Sequence, residues 1–191
     1  MKLVVGVTGA SGVVYGLNLL KTLSSMRIES HLIISKAAEL VISEEMSASS
    51  GAFKELATHW YDETDLASPL SSGSYRTDGM VIAPCSMKTV AGIANGYSNN
   101  LILRAADVTI KQGRKLILVP RESPLSRIHL RNLSTLAGDG VIILPASPGF
   151  YHHPKSIDDL VGFVVGKILD LLDIDHKLYR PWKDISEIEN R

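Results

Sequence analysis

One stretch constrains the fold more than any other: Val4-Val5-Gly6-Val7-Thr8-Gly9-Ala10-Ser11-Gly12, continued by Val13-Val14-Tyr15-Gly16-Leu17-Asn18-Leu19-Leu20. A valine-rich apolar run that empties into glycines and hydroxyl residues, then takes on helical character, is a strand, a tight turn and a helix start. Backbone N–H groups at such a turn, with the positive end of the helix dipole, favour a phosphate or another anion. Glycine lets the main chain approach it closely.

The same grammar recurs downstream. Met80-Val81-Ile82-Ala83-Pro84 is a short apolar run that ends in Cys85-Ser86-Met87-Lys88-Thr89 and passes into a helix. Strands are expected at 28–35, 115–120 and 141–145, and helices at 36–46, 52–59, 101–112, 125–137 and 157–172. In the last helix Ile157, Leu160, Val161, Val164, Val165, Ile168, Leu171 and Leu172 follow the three-four spacing of one buried face, and Ser156 with Asp159 resembles a capping box. Alternation of this kind means parallel βαβ units. The expected fold is α/β, a Rossmann-like three-layer αβα sandwich on a mainly parallel sheet. Its domain would span 1–172, with a tail at 173–191 whose Trp182 docks on the body or on a neighbouring subunit. The turns at 9–12, 35, 85–89, 121–123 and 147–151 all follow strands and should share the ligand edge of the sheet. The Ser/Pro/Gly-rich stretch 62–78 has the length of a binding loop or a disordered segment.

Composition excludes more than it selects. A chain of 191 residues suffices for a full core, and 20 basic against 20 acidic side chains give no electrostatic footprint for nucleic acid. Cys85 is the single cysteine, which suits a reducing cytoplasm, and no apolar run reaches membrane-spanning length.

Three familiar chemistries fit poorly. For a nicotinamide dehydrogenase, Gly16 comes one residue late for close helix approach, the second strand ends at Ser35-Lys36 without an acid for a ribose diol, and Pro154 interrupts the Tyr151/Lys155 pair. A serine hydrolase would need a glycine where Val13 stands, to complete a Gly-x-Ser-x-Gly elbow from Gly9, and a later Asp and His at strand ends. Cys85 after an apolar strand reads as a small buried hydrophobe. His152-His153 has no metal-ligand partner at helical spacing, so no metal site is expected. The basic residues Arg104, Lys111 and Lys167 each have a helix-surface partner, Asp107 for the first two and Asp170 for the third. Arg121 differs: it follows a strand directly, beside Glu122, where a cation next to a carboxylate suits phosphate binding and proton transfer.

Taken together, Gly9-Ala10-Ser11-Gly12, Pro84-Cys85-Ser86-Met87-Lys88-Thr89, Asn100-Leu101-Ile102-Leu103-Arg104-Ala105-Ala106-Asp107-Val108, Arg121-Glu122-Ser123-Pro124-Leu125 and Pro148-Gly149-Phe150-Tyr151 resemble the UbiX-like flavin prenyltransferases. That family sits among Rossmann-like flavoproteins that include flavin-dependent cysteine decarboxylases. The resemblance implies non-covalent FMN binding by Gly9, Ala10, Ser11, Ser35, Ser86, Met87, Lys88, Thr89 and Arg121. It implies dimethylallyl phosphate as second substrate, gripped by Lys111, Arg121, Tyr151 and Lys167 with Arg104 nearby and Trp182 over the prenyl group. Lys167 stands where some relatives carry Arg, keeping the charge without the bidentate fork. Ser11 and Glu122 would handle protons. The reaction implied is metal-free alkylation of reduced FMN at N5 and ring closure at C6, giving prenylated FMN for a UbiD-like decarboxylase. The family forms large homo-oligomers, often dodecamers, with sites at subunit junctions. Two alternatives remain open: an FMN-dependent cysteine-type decarboxylase, whose late Pro-x-Met-Asn-x-x-Met motif is missing here, and a non-catalytic FMN carrier.

Overall fold

The computed structural model describes residues 1–182, which fall into two compact units, Met1–Ala146 and a second that begins at Ser147. Of the expected tail, residues 183–191 lie outside the described residues.

The first unit is built on six parallel strands: β1 (Lys2–Val7), β2 (Glu29–Ile34), β3 (His59–Asp62), β4 (Gly79–Cys85), β5 (Lys115–Pro120) and β6 (Ile142–Ile143). They lie in the order β3-β2-β1-β4-β5-β6. The order reverses between β1 and β4, so the crevice outside their carboxyl ends is where this Rossmann-like α/β architecture binds ligands.

Six helices belong to the same unit: α1 (Val13–Ser25), α2 (Lys36–Met46), α3 (Gly51–Lys54), α4 (Met87–Ala94), α5 (Leu101–Lys111) and α6 (Arg127–Gly138). β1, β4 and β5 are near-continuous apolar runs because both faces of a parallel sheet are covered. Val4, Ile33, Met80, Ile82, Leu116 and Leu118 project to one face and join Val90 and Ile93 of α4 and Ile102, Ala105 and Ala106 of α5 in a single cluster. Each fully buried side chain of this kind contributes about 1.5–3 kcal/mol. On the other face α1 comes very close, since a Cβ on Gly16 would stand 2.5 Å from the Ala83 carbonyl oxygen and 3.0 Å from Val7 Cγ2. Gly16 therefore does allow close helix approach at this spacing, contrary to the expectation from the dehydrogenase fingerprint.

Several boundaries differ from the sequence-based expectation. The helix expected at 52–59 shrinks to α3, and His59-Trp60-Tyr61-Asp62 instead pairs with β2 as an edge strand. Its side chains are mostly exposed, so no apolar run announced it. The strand expected at 141–145 is regular at Ile142 and Ile143 and goes on pairing with β5 through Leu144 N to Leu118 O at 2.8 Å and Ala146 N to Pro120 O at 3.0 Å, and α6 starts at Arg127, where Ser126 caps it. Residues 62–78 are an ordered brace rather than a free loop. Leu70 is buried, Glu63 accepts from Asn100 Nδ2 at 3.0 Å, Arg104 Nε donates to Ser71 O at 3.0 Å and Arg114 donates to Gly73 O at 2.8 Å.

In the second unit, α7 (Ile157–Leu171) starts at the expected capping box, Asp159 accepting from the N–H of Ser156 while Ser156 Oγ accepts from that of Asp159. Among the described residues, no helix is long and apolar enough to cross a membrane.

Candidate active site

The crevice is stitched together by backbone and hydroxyl contacts from four strand ends. Thr8, 2% exposed, donates from Oγ1 to Pro84 O at 2.9 Å and accepts from Ser86 N at 2.8 Å, tying the turn after β1 to the turn after β4. Ser35 N donates to Val7 O at 3.0 Å, which fixes the start of α2 beside the same turn. Arg121, just beyond β5, reaches across with Nε to Ser11 O at 3.2 Å. Arg121 is thereby tethered to the first turn. Glu122 is exposed and accepts from the Ser123 N–H at 3.1 Å.

Three helix N-termini open at this edge. Gly12, with φ 99°, caps α1 in the left-handed conformation that glycine favours. Ser35 caps α2 through Ala38 N at 3.1 Å, and Ser86 caps α4 through Thr89 N at 3.3 Å while its Oγ meets Thr89 Oγ1 at 3.0 Å. A Cβ on Gly9 would stand 2.5 Å from Ala37 Cβ, so the turn after β1 lies directly on the first turn of α2. Ala10 is buried and Ser11 exposed at the mouth. Met87 is buried in the core cluster, leaving its backbone at the N-terminus of α4, while Lys88 is exposed.

The first turn already holds an anion. The Glu45 carboxylate, from the end of α2, accepts from Gly12 N at 3.0 and 2.9 Å and from Val13 N at 3.2 Å. A carboxylate on these N–H groups is the stand-in that shows what the turn selects, as a phosphate monoester would present the same acceptor oxygens. Neither Thr8 nor Glu45 stood out in the sequence as a site residue. Thr8 sat inside the glycine motif, and Glu45 carried no signal beyond a charged helix face. Cys85 is fully buried, and burial pushes its thiol pKa up, which removes it as a nucleophile.

Arg104 and Lys111 lie at the two ends of α5. Arg104 NH1 pairs with Asp107 at 2.7 Å and Lys111 Nζ with the same carboxylate at 3.7 Å, the expected helix pairs. α5 ends at Lys111, four residues before β5 begins at Lys115, so Lys111 sits where the strands start and Arg121 where they end. The expected common grip of Lys111 and Arg121 is not formed within one chain. The six residue steps from Lys115 to Arg121, roughly 20 Å, separate them.

The second unit gathers Tyr151, Lys167 and Trp182 around Phe163. The Tyr151 ring meets Trp182 edge-on at 5.2 Å and Phe163 at 5.6 Å, and Lys167 Nζ lies 5.7 Å from the Phe163 ring and 4.7 Å from that of Tyr179. Lys167 also pairs with Asp170 at 3.2 Å. Partial burial works against its charge, but Tyr179 and Asp170 outweigh it and raise its pKa, so the ammonium persists at any physiological pH. Phe163 and Tyr179 were hidden from sequence reading, the first inside a helix face and the second in a polar tail.

The family model described as Flavoprotein matches residues 1–169. The flavin prenyltransferase UbiX of Methanocaldococcus jannaschii is 48% identical over 182 residues, spanning 95% of this chain and 98% of its own length. Among solved structures, a dodecameric FMN-dependent UbiX-like decarboxylase from Escherichia coli O157:H7 superposes with a TM-score of 0.94 at 48% identity, over 96% of this chain and all of its own. AnUbiX in complex with FMN and dimethylallyl pyrophosphate superposes with a TM-score of 0.94 at 43% identity, over 96% of this chain and 97% of its own.

Proposed function

This chain belongs to the flavoprotein family and, within it, to the UbiX-like flavin prenyltransferases, and on that premise we propose how its residues carry out prenyl transfer to FMN. The substrates are reduced FMN and dimethylallyl phosphate, and the product is prenylated FMN. The observation that carries the proposal is the crevice itself: three helix N-termini, one of them already holding a carboxylate, with Arg121 tethered to the same turn.

The residues fit FMN. Gly9, Ala10 and Ser11 with the N-termini of α2 at Ser35 and of α4 at Ser86, Met87, Lys88 and Thr89 offer N–H groups and hydroxyls to its phosphate and ring edge, and Arg121 adds a fixed cation. Reduced FMN supplies the electron-rich N5 and C6 that take up the dimethylallyl group. The chain's task is to ease departure of the phosphate. Negative charge that develops on the leaving oxygen is met by cations already in place, which cost no reorganisation and make a metal unnecessary. Arg121 serves at the crevice, and the resemblance to the flavin prenyltransferases gives Lys167 and the Tyr151 hydroxyl the same task toward the donor phosphate. The faces of Tyr151, Phe163 and Trp182 favour an allylic cation and keep water from it. Ser11 and Glu122 hold and move protons at N5 and on the phosphate.

Lys111 enters from a second copy of the chain, and Arg104 shares its Asp107 carboxylate. The distance of Lys111 from its own crevice is what supports a homo-oligomer with sites at subunit junctions, and the dodecameric relative gives the assembly its expected size. A UbiD-like decarboxylase would take the product, in a reducing cytoplasm that keeps Cys85 a thiol.

The test is direct. The protein is incubated anaerobically with reduced FMN and dimethylallyl phosphate, or the pyrophosphate, and the mass of the released flavin is measured. One added C5 unit is expected. Unmodified FMN with both donors, while FMN still binds, would refute the proposal in favour of a carrier.

A further inference from the structure

At the opposite end of the first unit's sheet, where the strands begin, we propose a binding site for a divalent transition-metal ion of the zinc class, held by Glu29, His31 and His59. Sheet register creates it. Glu29 and His31 are two apart on β2 and so share a face, and His59 on β3 stands directly opposite His31. Three residues with no sequence pattern between them thus converge through strand pairing alone.

The donor atoms are close to coordination distance. His31 Nε2 lies 2.9 Å from Glu29 Oε1, His59 Nε2 lies 4.0 Å from the same oxygen, and all three donors fall within 4.8 Å of one another. Bonds of about 2.0–2.2 Å in a tetrahedral zinc site place its ligands roughly 3.3 Å apart. The pocket therefore needs a small rotation of His59, whose side chain is 54% exposed, and withdrawal of the two groups that now face its donors, Lys2 from Glu29 and Tyr75 OH, which lies 3.4 Å from His31 Nε2. His31, by contrast, is fully buried and fixed. Its Nδ1 meets Tyr61 OH at 3.0 Å, and its ring stacks on that of His59 at 4.9 Å. A ligating histidine whose other nitrogen is held by a hydrogen-bond partner is the usual arrangement around bound metals. Two imidazoles and one carboxylate select zinc, cobalt, nickel or copper over magnesium or calcium, and leave a position for water on the exposed side.

One cation competes. Lys2 Nζ lies 3.3 Å from Glu29 Oε1, but it has a second berth at Tyr75 OH, 3.0 Å away, and over the Tyr75 ring at 4.4 Å. Metal entry displaces Lys2 onto Tyr75. The consequence is structural: the ion clips the edge strand β3, which among the described residues pairs with β2 alone, to the body of the sheet. The length of β1, about 16 Å for five residue steps, separates the clip from the crevice, so it takes no part in prenyl transfer.

The full chain, stripped with chelator and freed of it, is titrated with Co2+ while its visible absorption is followed, and with Zn2+ against a chromophoric chelator. One ion per chain is expected, with a rise in melting temperature on loading. His59→Ala, at an exposed position, should weaken binding by at least about tenfold and leave FMN affinity unchanged. Lys2→Met should tighten it. Absence of stoichiometric binding, or His59→Ala and Glu29→Gln binding metal as the wild type does, would overturn the site and leave the cluster an ordinary histidine–carboxylate network.

Discussion

Replacing Thr8 by valine should separate the architecture of the crevice from its surface chemistry. Valine keeps the shape of the side chain and removes one oxygen. That oxygen donates to Pro84 O at 2.9 Å and accepts from Ser86 N at 2.8 Å. Pro84 O retains the Thr8 N–H at 3.2 Å, so the main casualty is the Ser86 N–H, left without that acceptor where the chain turns into α4. A buried donor stripped of its partner costs about 1–3 kcal/mol, and the lost Pro84 contact adds about 1 kcal/mol. For a chain of this size each kcal/mol lowers the melting temperature by about 2–4 °C, so a fall of about 4–16 °C is expected. FMN affinity should fall with it, because Ser86 and Thr89 are positioned through this bond. Thr8→Ser, which keeps the oxygen, should retain most of both. Thermal unfolding at fixed protein concentration and FMN fluorescence titration are the assays. If Thr8→Val melts within 2 °C of the wild type and binds FMN equally well, the stitch between β1 and β4 does not organise the site.

Other perturbations test other parts of the molecule. Lys167→Ala should raise KM for dimethylallyl phosphate by about 10- to 100-fold, the worth of one charge-assisted hydrogen bond at about 1.5–3 kcal/mol, while Lys167→Arg should recover most of it; steady-state kinetics with FMN saturating decides. Gly166→Ala places a Cβ 2.6 Å from Tyr179 and 2.7 Å from His176, so it should push both rings off α7, which limited proteolysis after residue 172 would detect as faster cleavage. Burial lowers the pKa of His31, although Glu29 works against the shift. The unfolded chain then takes up a proton near pH 6.5 before the native one does, so this contribution is intact above that pH. It should decline by about 1.4 kcal/mol per pH unit below it until the native histidine titrates. Urea unfolding between pH 7.5 and 5 checks the slope, and a His31→Gln chain, if folded, should lack it.

Much of this architecture was legible because parallel strands buried on both faces are written as apolar runs. β1, β4 and β5 announced themselves in that way, and the small hydroxyl and glycine residues after them marked the ligand edge. The cap at Ser156 was equally plain, since a serine followed three residues later by Asp159 satisfies helix N–H groups within one turn of it. β3 escaped because an exposed edge strand is held by backbone pairing, which places no demand on the side chains of His59 or Trp60.

What the sequence determined by itself was therefore local: where strands end in anion-ready turns, which helix faces are apolar, and which motifs resemble the flavin prenyltransferases. Tertiary structure alone decided that Thr8 joins two turns, that Glu45 sits on the first of them, that Arg121 reaches Ser11, and that Lys111 faces the wrong end of its own sheet. Hydrogen bonds and charge contacts act over a few ångströms in space, whereas these partners are separated by tens of residues along the chain. Only the pairing and order of the strands bring them within reach.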